Sequence, residues 1–312
     1  MEEKYKKGQI SLDFDVPISD YFHRHNSSMF MEDLSMSRYR IKEDFLSISI
    51  ESENQDEIAD FLSNQVTTFK YRNRWRNRLD LNEELLELLE TISDKLVNEG
   101  NCVIEKIFDE NGSLTRLKVI RGEVKIGNKK VIQVIPKNIA KELKSKTKIS
   151  IPKSKCFILE FPKEICSIKD YKNILDQMLK IDSKDPMFSV LNPSNLSKTK
   201  GYDAMKHREN LDIILRRLTR KISWHHREQY SSGDKFSYYY STLRSLKFKR
   251  TKLQMLNNIF EFIEQIVNEL FPEANLKIAY EKTIGDIDRI IENYKKGEFP
   301  HELHMQIIRE YL

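Results

Sequence analysis

Residues 96–120 read LVNEGNCVIEKIFDENGSLTRLKVI, and the architecture can be worked outward from them. A leucine-rich stretch runs into Gly100-Asn101. Val103, Ile104 and Ile107, then Leu114, Leu117 and Val119, form two strand-like runs on either side of Asp-Glu-Asn-Gly. Asn111-Gly112 supplies the positive φ angles of a tight turn, so the stretch predicts a helix stop followed at once by a β-hairpin. Upstream, Leu85, Leu86, Leu88, Leu89, Ile92 and Leu96 lie at helical spacing. They predict a helix over Leu81–Glu99 with Gly100 as its stop.

The same patterns extend in both directions. GEVKIGNKKVIQVI (122–135) carries a second turn at Gly127-Asn128, and CFILEF (156–161) is an apolar run that Pro162 ends. The middle of the chain is therefore a small mixed sheet fed by a leucine-rich helix, an α+β arrangement. Ile168–Ile181 predicts a helix, and the Ser/Pro/Lys-rich residues 182–203 predict a hinge. A long basic helix is expected from Asp203 to about Tyr230, with Met205, Leu211, Ile214, Leu218 and Ile222 near helical spacing. After the polar break SSGDKFSYYYS come Leu253, Leu256, Phe260, Ile263, Val267 and Leu270, a helical seam that must pack on a neighbour. A strand over Ala274–Glu281, a helix over Ile284–Tyr294 and a closing helix to Leu312 complete the series. Residues 54–70 predict a short helix. The first 40 residues are irregular, with an aromatic and methionine cluster at Tyr21, Phe22, Met29, Phe30 and Met31. The expected divisions are an arm or loose subdomain at 1–53, a wing-like α/β domain at 54–165, a helix and hinge at 166–202, and a helical domain at 203–312.

Composition narrows the function classes. The 312 residues are 39% hydrophobic and 32% charged, with a net charge of +5. No apolar run approaches the roughly 20 residues of a membrane-spanning helix, which predicts no membrane partner. The start, MEEKYKKGQISLDFD, has no apolar core behind its charges, so no secretory signal is expected. Three cysteines, Cys102, Cys156 and Cys166, have no CxxC spacing and suggest a reduced, cytosolic protein. Charge is uneven: Leu196–Lys252 holds fifteen Lys/Arg against five Asp/Glu. Such asymmetry suits nucleic acid or an acidic neighbouring subunit, and a solvated face is the bland alternative. Arg72, Arg74, Arg76 and Arg78 form a further basic stretch that could hold phosphate or pair with the acidic helix beside it.

Short catalytic signatures are absent from the sequence. There is no GxxxxGK[ST], GxGxxG or GxSxG. His301 and His304 would share a helix face, but no further residues complete a zinc set. His23, His25, His207 and the pair His225-His226 complete the seven histidines without a pattern. Cys102, inside the first hairpin strand, reads as a core thiol. One constellation carries chemistry: Asp109 followed by Glu123-Val124-Lys125. It is similar to the metal-binding pattern of restriction-endonuclease-like nucleases. Two carboxylates there hold a divalent metal, and a lysine on the same strand face orients a water.

In its order of elements the chain resembles the portal proteins of tailed bacteriophages, from about Leu81 to the end. LVNEGNCVIEKIFDENGSLTRL (96–117) is similar to that family's helix, Gly-Asn, apolar, Glu and Asp-x-x-Gly hairpin. Residues 231–271 resemble its short polar break before a long helix, and NYKKGEFPHELHMQIIRE resembles its closing helices. The N-terminal arm matches nothing in the family, and 162–200 is shorter than its counterpart. The resemblance implies a homo-oligomeric ring that conducts double-stranded DNA into a capsid, without catalytic residues, metal or other cofactor. The packaging motor and the head–tail connector proteins would be its partners, and the virion or host cytoplasm its location. Arg216, Arg217, Arg220, Lys221, Lys247, Lys249 and Arg250 are the residues expected to touch phosphate or a neighbouring subunit. The acidic helix at 83–90 would be the candidate for such a neighbour. Two other functions stay open: the nuclease, with Asp109, Glu123, Lys125 and a divalent metal, and a basic nucleic-acid-binding module that acts with a partner.

Overall fold

The structure, a computed structural model, describes residues 8–14, 25–36, 46–49, 55–67, 80–184, 204–224 and 235–298. It is an α+β protein. Its contacts divide it into two compact units, each assembled from separated stretches of chain. The first holds Met1–Ser19, Met36–Phe161 and Asn257–Ala279; the second holds Asp20–Ser35, Pro162–Leu256 and Tyr280–Leu312. The units therefore interleave along the sequence, whereas the pattern of composition divides it in linear order.

In the first unit, helix α2 (Gln55–Gln65) leads into β2 (Val66–Thr67), and helix α3 (Leu81–Glu99) into strand β3 (Asn101–Phe108). Asp80 caps α3 by accepting the Glu83 N–H at 2.8 Å, and Gly100 ends it at φ 76°, its N–H on the Leu96 carbonyl. The apolar stripe of α3 is buried throughout, from Leu85 to Leu96. Strand β3 pairs antiparallel with β4 (Leu114–Val119) on one side and with β8 (Cys156–Glu160) on the other. Strand β2 adds to the far edge of β4 in parallel, so this four-stranded sheet is mixed. A second sheet of three antiparallel strands holds β5 (Glu123–Ile126), β6 (Lys130–Val134) and β7 (Lys148–Pro152), with the short helix α4 (Lys137–Glu142) between β6 and β7. The two sheets share a core of Val103, Ile120, Val124, Val131 and Ile151. Strand β1 (Leu46–Ser49) pairs with β9 (Lys277–Tyr280).

The second unit is helical. Helix α1 (His25–Leu34) packs with α5 (Ile168–Lys184), and α5 with α6 (Ala204–Leu218). Phe30, Tyr171 and Trp224, all fully buried, are its aromatic centre, with Phe30 and Trp224 edge to face at 5.3 Å. The Asp182 carboxylate of α5 accepts four hydrogen bonds from Asn26 and Ser27, at 2.6–3.2 Å, and so caps α1 from outside the helix. Helix α7 (Lys235–Leu270) is about 54 Å long at 1.5 Å per residue. Its residues up to Leu256 count with the second unit and the rest with the first. Helix α8 (Ile284–Lys296) begins with a reciprocal Thr283–Asp286 capping box.

Several expectations need correction. The basic helix ends at Leu218, not near Tyr230: residues 219–223 form turns, and Ser223 takes φ 65°. Ile214 is half exposed, not part of a buried stripe; Leu215 and Ile222 are the buried positions. Helix α7 starts at Lys235, inside the stretch expected as a polar break. Within the irregular arm, Leu12, Phe14, Phe30, Leu34 and Met36 are buried core residues. The hinge expected at 182–203 begins with residues that continue helix α5 to Lys184; its remainder, the arginines at 72–78, Tyr21, Phe22, His23, His225, His226, His301, His304 and the closing helix lie outside the described residues.

Candidate functional site

The end of α6 and the turns after it are held against α7 by side chains of α7. Arg244 of α7 donates to the main-chain carbonyls of Trp224 (2.6 Å) and Arg216 (2.9 Å) and to the Thr219 hydroxyl (3.0 Å). One turn and more further on, the Thr251 hydroxyl donates to the Ile222 carbonyl at 3.2 Å. The last carbonyls of a helix have no partners of their own and carry partial negative charge, so a guanidinium is well suited to close them. Burial and the nearby Arg216 charge bring Arg244 down to about 10, below the ordinary arginine range.

That junction draws together the basic residues singled out in the sequence. Arg216, Arg217, Arg220 and Lys221 come from the end of α6 and its following turn. Lys247, Lys249 and Arg250 lie on α7 between the two contacts just described. Their charges are not equally available. Lys221 pairs with Asp170 at 2.7 Å, which raises Lys221 and lowers Asp170 relative to their ordinary values. Arg250 grips the Asp288 carboxylate of α8 with two nitrogens, at 2.6 and 3.2 Å. Arg216 and Lys249 are half-buried, whereas Arg217, Arg220 and Lys247 are exposed. The last three are the positive heads best placed to meet a polyanion.

The alternative catalytic set is not drawn into a comparable arrangement. Asp109 closes the β3–β4 turn, where its Oδ1 accepts the N–H groups of Asn111 (2.9 Å) and Ser113 (2.8 Å). Glu123 and Lys125 do share a face of β5, as their spacing requires, but they are exposed and paired with each other at 3.5 Å. Among the described residues no group of three or more His, Cys, Asp or Glu is disposed to hold a metal ion. The acidic helix is also less outward than expected, since Glu84 and Glu90 of α3 are buried.

Sequence reasoning missed a second polar site, in the first unit. Register sets Glu105 of β3 beside Lys118 of β4, and both are buried. The Glu105 carboxylate accepts the main-chain N–H groups of Ile10 (2.7 Å) and Ser11 (3.0 Å). Gln133 of β6 accepts the Leu12 N–H at 2.8 Å and donates to the carbonyls of Leu12 and Arg121, both at 2.9 Å. Lys118 donates to the Ser11 carbonyl at 3.3 Å and pairs with Asp13 at 2.9 Å. The available signal was period two: Glu105 falls on the strand face of Val103 and Ile107, and a charge on a buried face needs a partner.

No protein-family model matches the chain, and a search of curated proteins finds no match either. The fold class and the two polar sites thus define it as an α+β protein with a basic helical junction. No helix among the described residues is long and apolar enough to cross a membrane.

Proposed function

We propose that this chain is a portal-like structural subunit, copies of which close into a ring that passes double-stranded DNA into a capsid. The observation that carries the proposal is the junction of α3 and β3. The helix ends on a left-handed Gly100, the strand begins at the next residue, and the hairpin turns on Asp109–Gly112. This is the helix-to-hairpin signature on which the portal resemblance rests. The 36-residue α7, followed by strand β9 and the capped α8, keeps the order of elements that the resemblance implies. Head-to-tail contacts that close give rings, and opposed charges set their register. Arg217, Arg220 and Lys247 would then face DNA or an acidic neighbour. The packaging motor and head–tail connector would be the partners, in the virion or the host cytoplasm.

Light scattering and negative-stain imaging of the purified protein test the proposal. It predicts a many-copy particle with a central hole, unchanged by chelators. A monomer or dimer at every concentration would count against it. Metal-dependent DNA cleavage lost in Glu123→Ala would favour the nuclease instead. A small particle with steeply salt-dependent DNA binding would favour the binding module.

A further inference from the structure

The second sheet of the first unit carries the densest unpaired positive charge of the molecule's described residues. Arg121–Lys155 holds eleven Lys/Arg against two Asp/Glu, a surplus of nine in 35 residues, where Leu196–Lys252 needs 57 residues for a surplus of ten. Register sorts these charges onto one side. Val124, Val131, Gln133 and Ile151 are buried, so strand alternation sets Lys125, Lys130 and Lys148 on the outer face with Ile132, Val134 and Ser150. The one carboxylate on that face is Glu123, which pairs with Lys125 at 3.5 Å. Where β5 turns into β6, the Lys153 N–H meets the Lys129 carbonyl at 3.1 Å, which brings two more lysines to that end of the sheet. At the other end Lys137 and Lys141 stand one turn apart on α4. All of these lysines are exposed, and apart from Lys125 none makes an ion pair among the described residues.

Like charges at these spacings repel, and the fold supplies almost no carboxylate to offset them. A dense, repeating anion does. Three features narrow its class. Arg121–Lys155 contains no Phe, Tyr or Trp, so the unstacked bases of a single strand find no platform. The large apolar side chains exposed among the described residues are Ile213, Ile214 and Tyr240, all elsewhere. The face therefore lacks the apolar anchor of a protein hot spot or of a membrane-inserted surface. Lysine meets phosphate as a point charge, which positions a backbone without reading bases. Strands β6 and β7 have five residues each and run about 17 Å at about 3.3 Å per residue. That length matches about five phosphates along one strand of a duplex. We propose that the outer face of the second sheet docks the phosphate backbone of a double-stranded nucleic acid, whatever its sequence. Neither a ring nor the helical junction is needed, since one first unit suffices.

Fluorescence anisotropy of a labelled DNA duplex, titrated with the full chain over a range of salt, tests the proposal. The starting protein carries Arg217→Ala, Arg220→Ala and Lys247→Ala, so that a failure of this face is distinct from a failure of the junction. It should still bind the duplex. Adding Lys125→Gln, Lys130→Gln and Lys148→Gln should flatten the log–log salt dependence by about 2.7, at about 0.9 per phosphate contact, and equally for duplexes of two unrelated sequences. Lys→Arg at the same three positions should keep the slope, which separates loss of charge from loss of fold. Lys129→Gln with Lys153→Gln, at the turn end of the sheet, is an independent second variant and should flatten the slope by about 1.8. A starting protein that does not bind the duplex, or an unchanged slope in both glutamine variants, overturns the proposal. So does tighter binding of oligo(dT) than of the duplex, or binding to phosphatidylserine vesicles in place of the duplex.

Discussion

Charge is used in opposite ways at the two polar sites. In the first unit, Glu105 and Lys118 are buried, and their partners are main-chain groups and one carboxylate of a single segment. At the helical junction of the second unit, Arg217, Arg220 and Lys247 are exposed, and Lys221 and Arg250 pair with carboxylates at the surface. A buried charge commits a fold to its partner, because losing either one leaves the other desolvated. An exposed charge contributes little to stability and stays available to whatever arrives. The first site therefore ties a segment of chain to the sheets, and the second leaves positive heads exposed, which the proposed function assigns to a polyanionic partner.

The sharpest way to break this contrast is Glu105→Ala. Two main-chain N–H groups and Lys118 would lose their acceptor or counter-charge, and stability should fall by about 3–5 kcal/mol in urea unfolding. A loss under about 1 kcal/mol would mean that the carboxylate is not integral to the segment's binding. Alkylation of Cys156 probes the same unit. Burial pushes this half-buried thiol up to about 12, from an ordinary value of 9.0. At neutral pH the native thiolate fraction then lies well below that of the unfolded chain, and native alkylation should be markedly slower, because the loss of thiolate outweighs the greater nucleophilicity of the more basic thiolate. Because a thiol raised in the fold resists ionisation, its contribution to stability is whole below the unfolded value and declines as pH climbs from 9.0 toward 12.

Asp182→Ala sharpens the comparison by showing that the second unit also has inward charge. Removal of the acceptor of four hydrogen bonds at α1 should cost about 1–3 kcal/mol, visible as a lower unfolding midpoint. By contrast, Arg217→Ala, Arg220→Ala and Lys247→Ala combined should leave stability within about 0.5 kcal/mol. The same triple change should flatten the log–log salt dependence of DNA binding by about 2.7, at about 0.9 per phosphate contact. An unchanged slope would remove these three residues from the interface. The smallest effect belongs to Lys221 and Asp170. Asp170, lowered by its bond from Lys221, supports the fold above the ordinary aspartate value and loses that support as pH falls through its depressed one. Lys221, raised by Asp170, behaves in the mirror sense at high pH. Asp170→Asn should return Lys221 to its ordinary range in an NMR titration, with no measurable change in unfolding midpoint.

The contrast also explains what could be read from the sequence. Helix α3 and the β3–β4 hairpin were legible because Gly100 ends the helix, Gly112 marks the turn and the leucines repeat at helical spacing. The seam of α7 was legible for the same reason, and five of its six positions, all but Leu270, are buried. The end of α6 was not, since the turns after it are tied down by Arg244, which is 26 residues beyond Leu218 in the chain. The segment at Gly8–Phe14 left no periodic trace. Its backbone is satisfied by side chains more than 90 residues away, so nothing within QISLDF announces burial. Of the basic residues, the sequence identified which were clustered. It could not tell which would be occupied, because Asp170 and Asp288 are distant in sequence from the groups they pair with.

Hydrogen exchange of the native chain tests the contrast most directly. If the buried charges of the first unit serve to hold the segment Gly8–Phe14, the amides of Ile10, Ser11 and Leu12 exchange as slowly as those of β3 and β4. Exchange of those three amides near the rate of an unstructured chain, while β3 and β4 stay protected, would contradict the account.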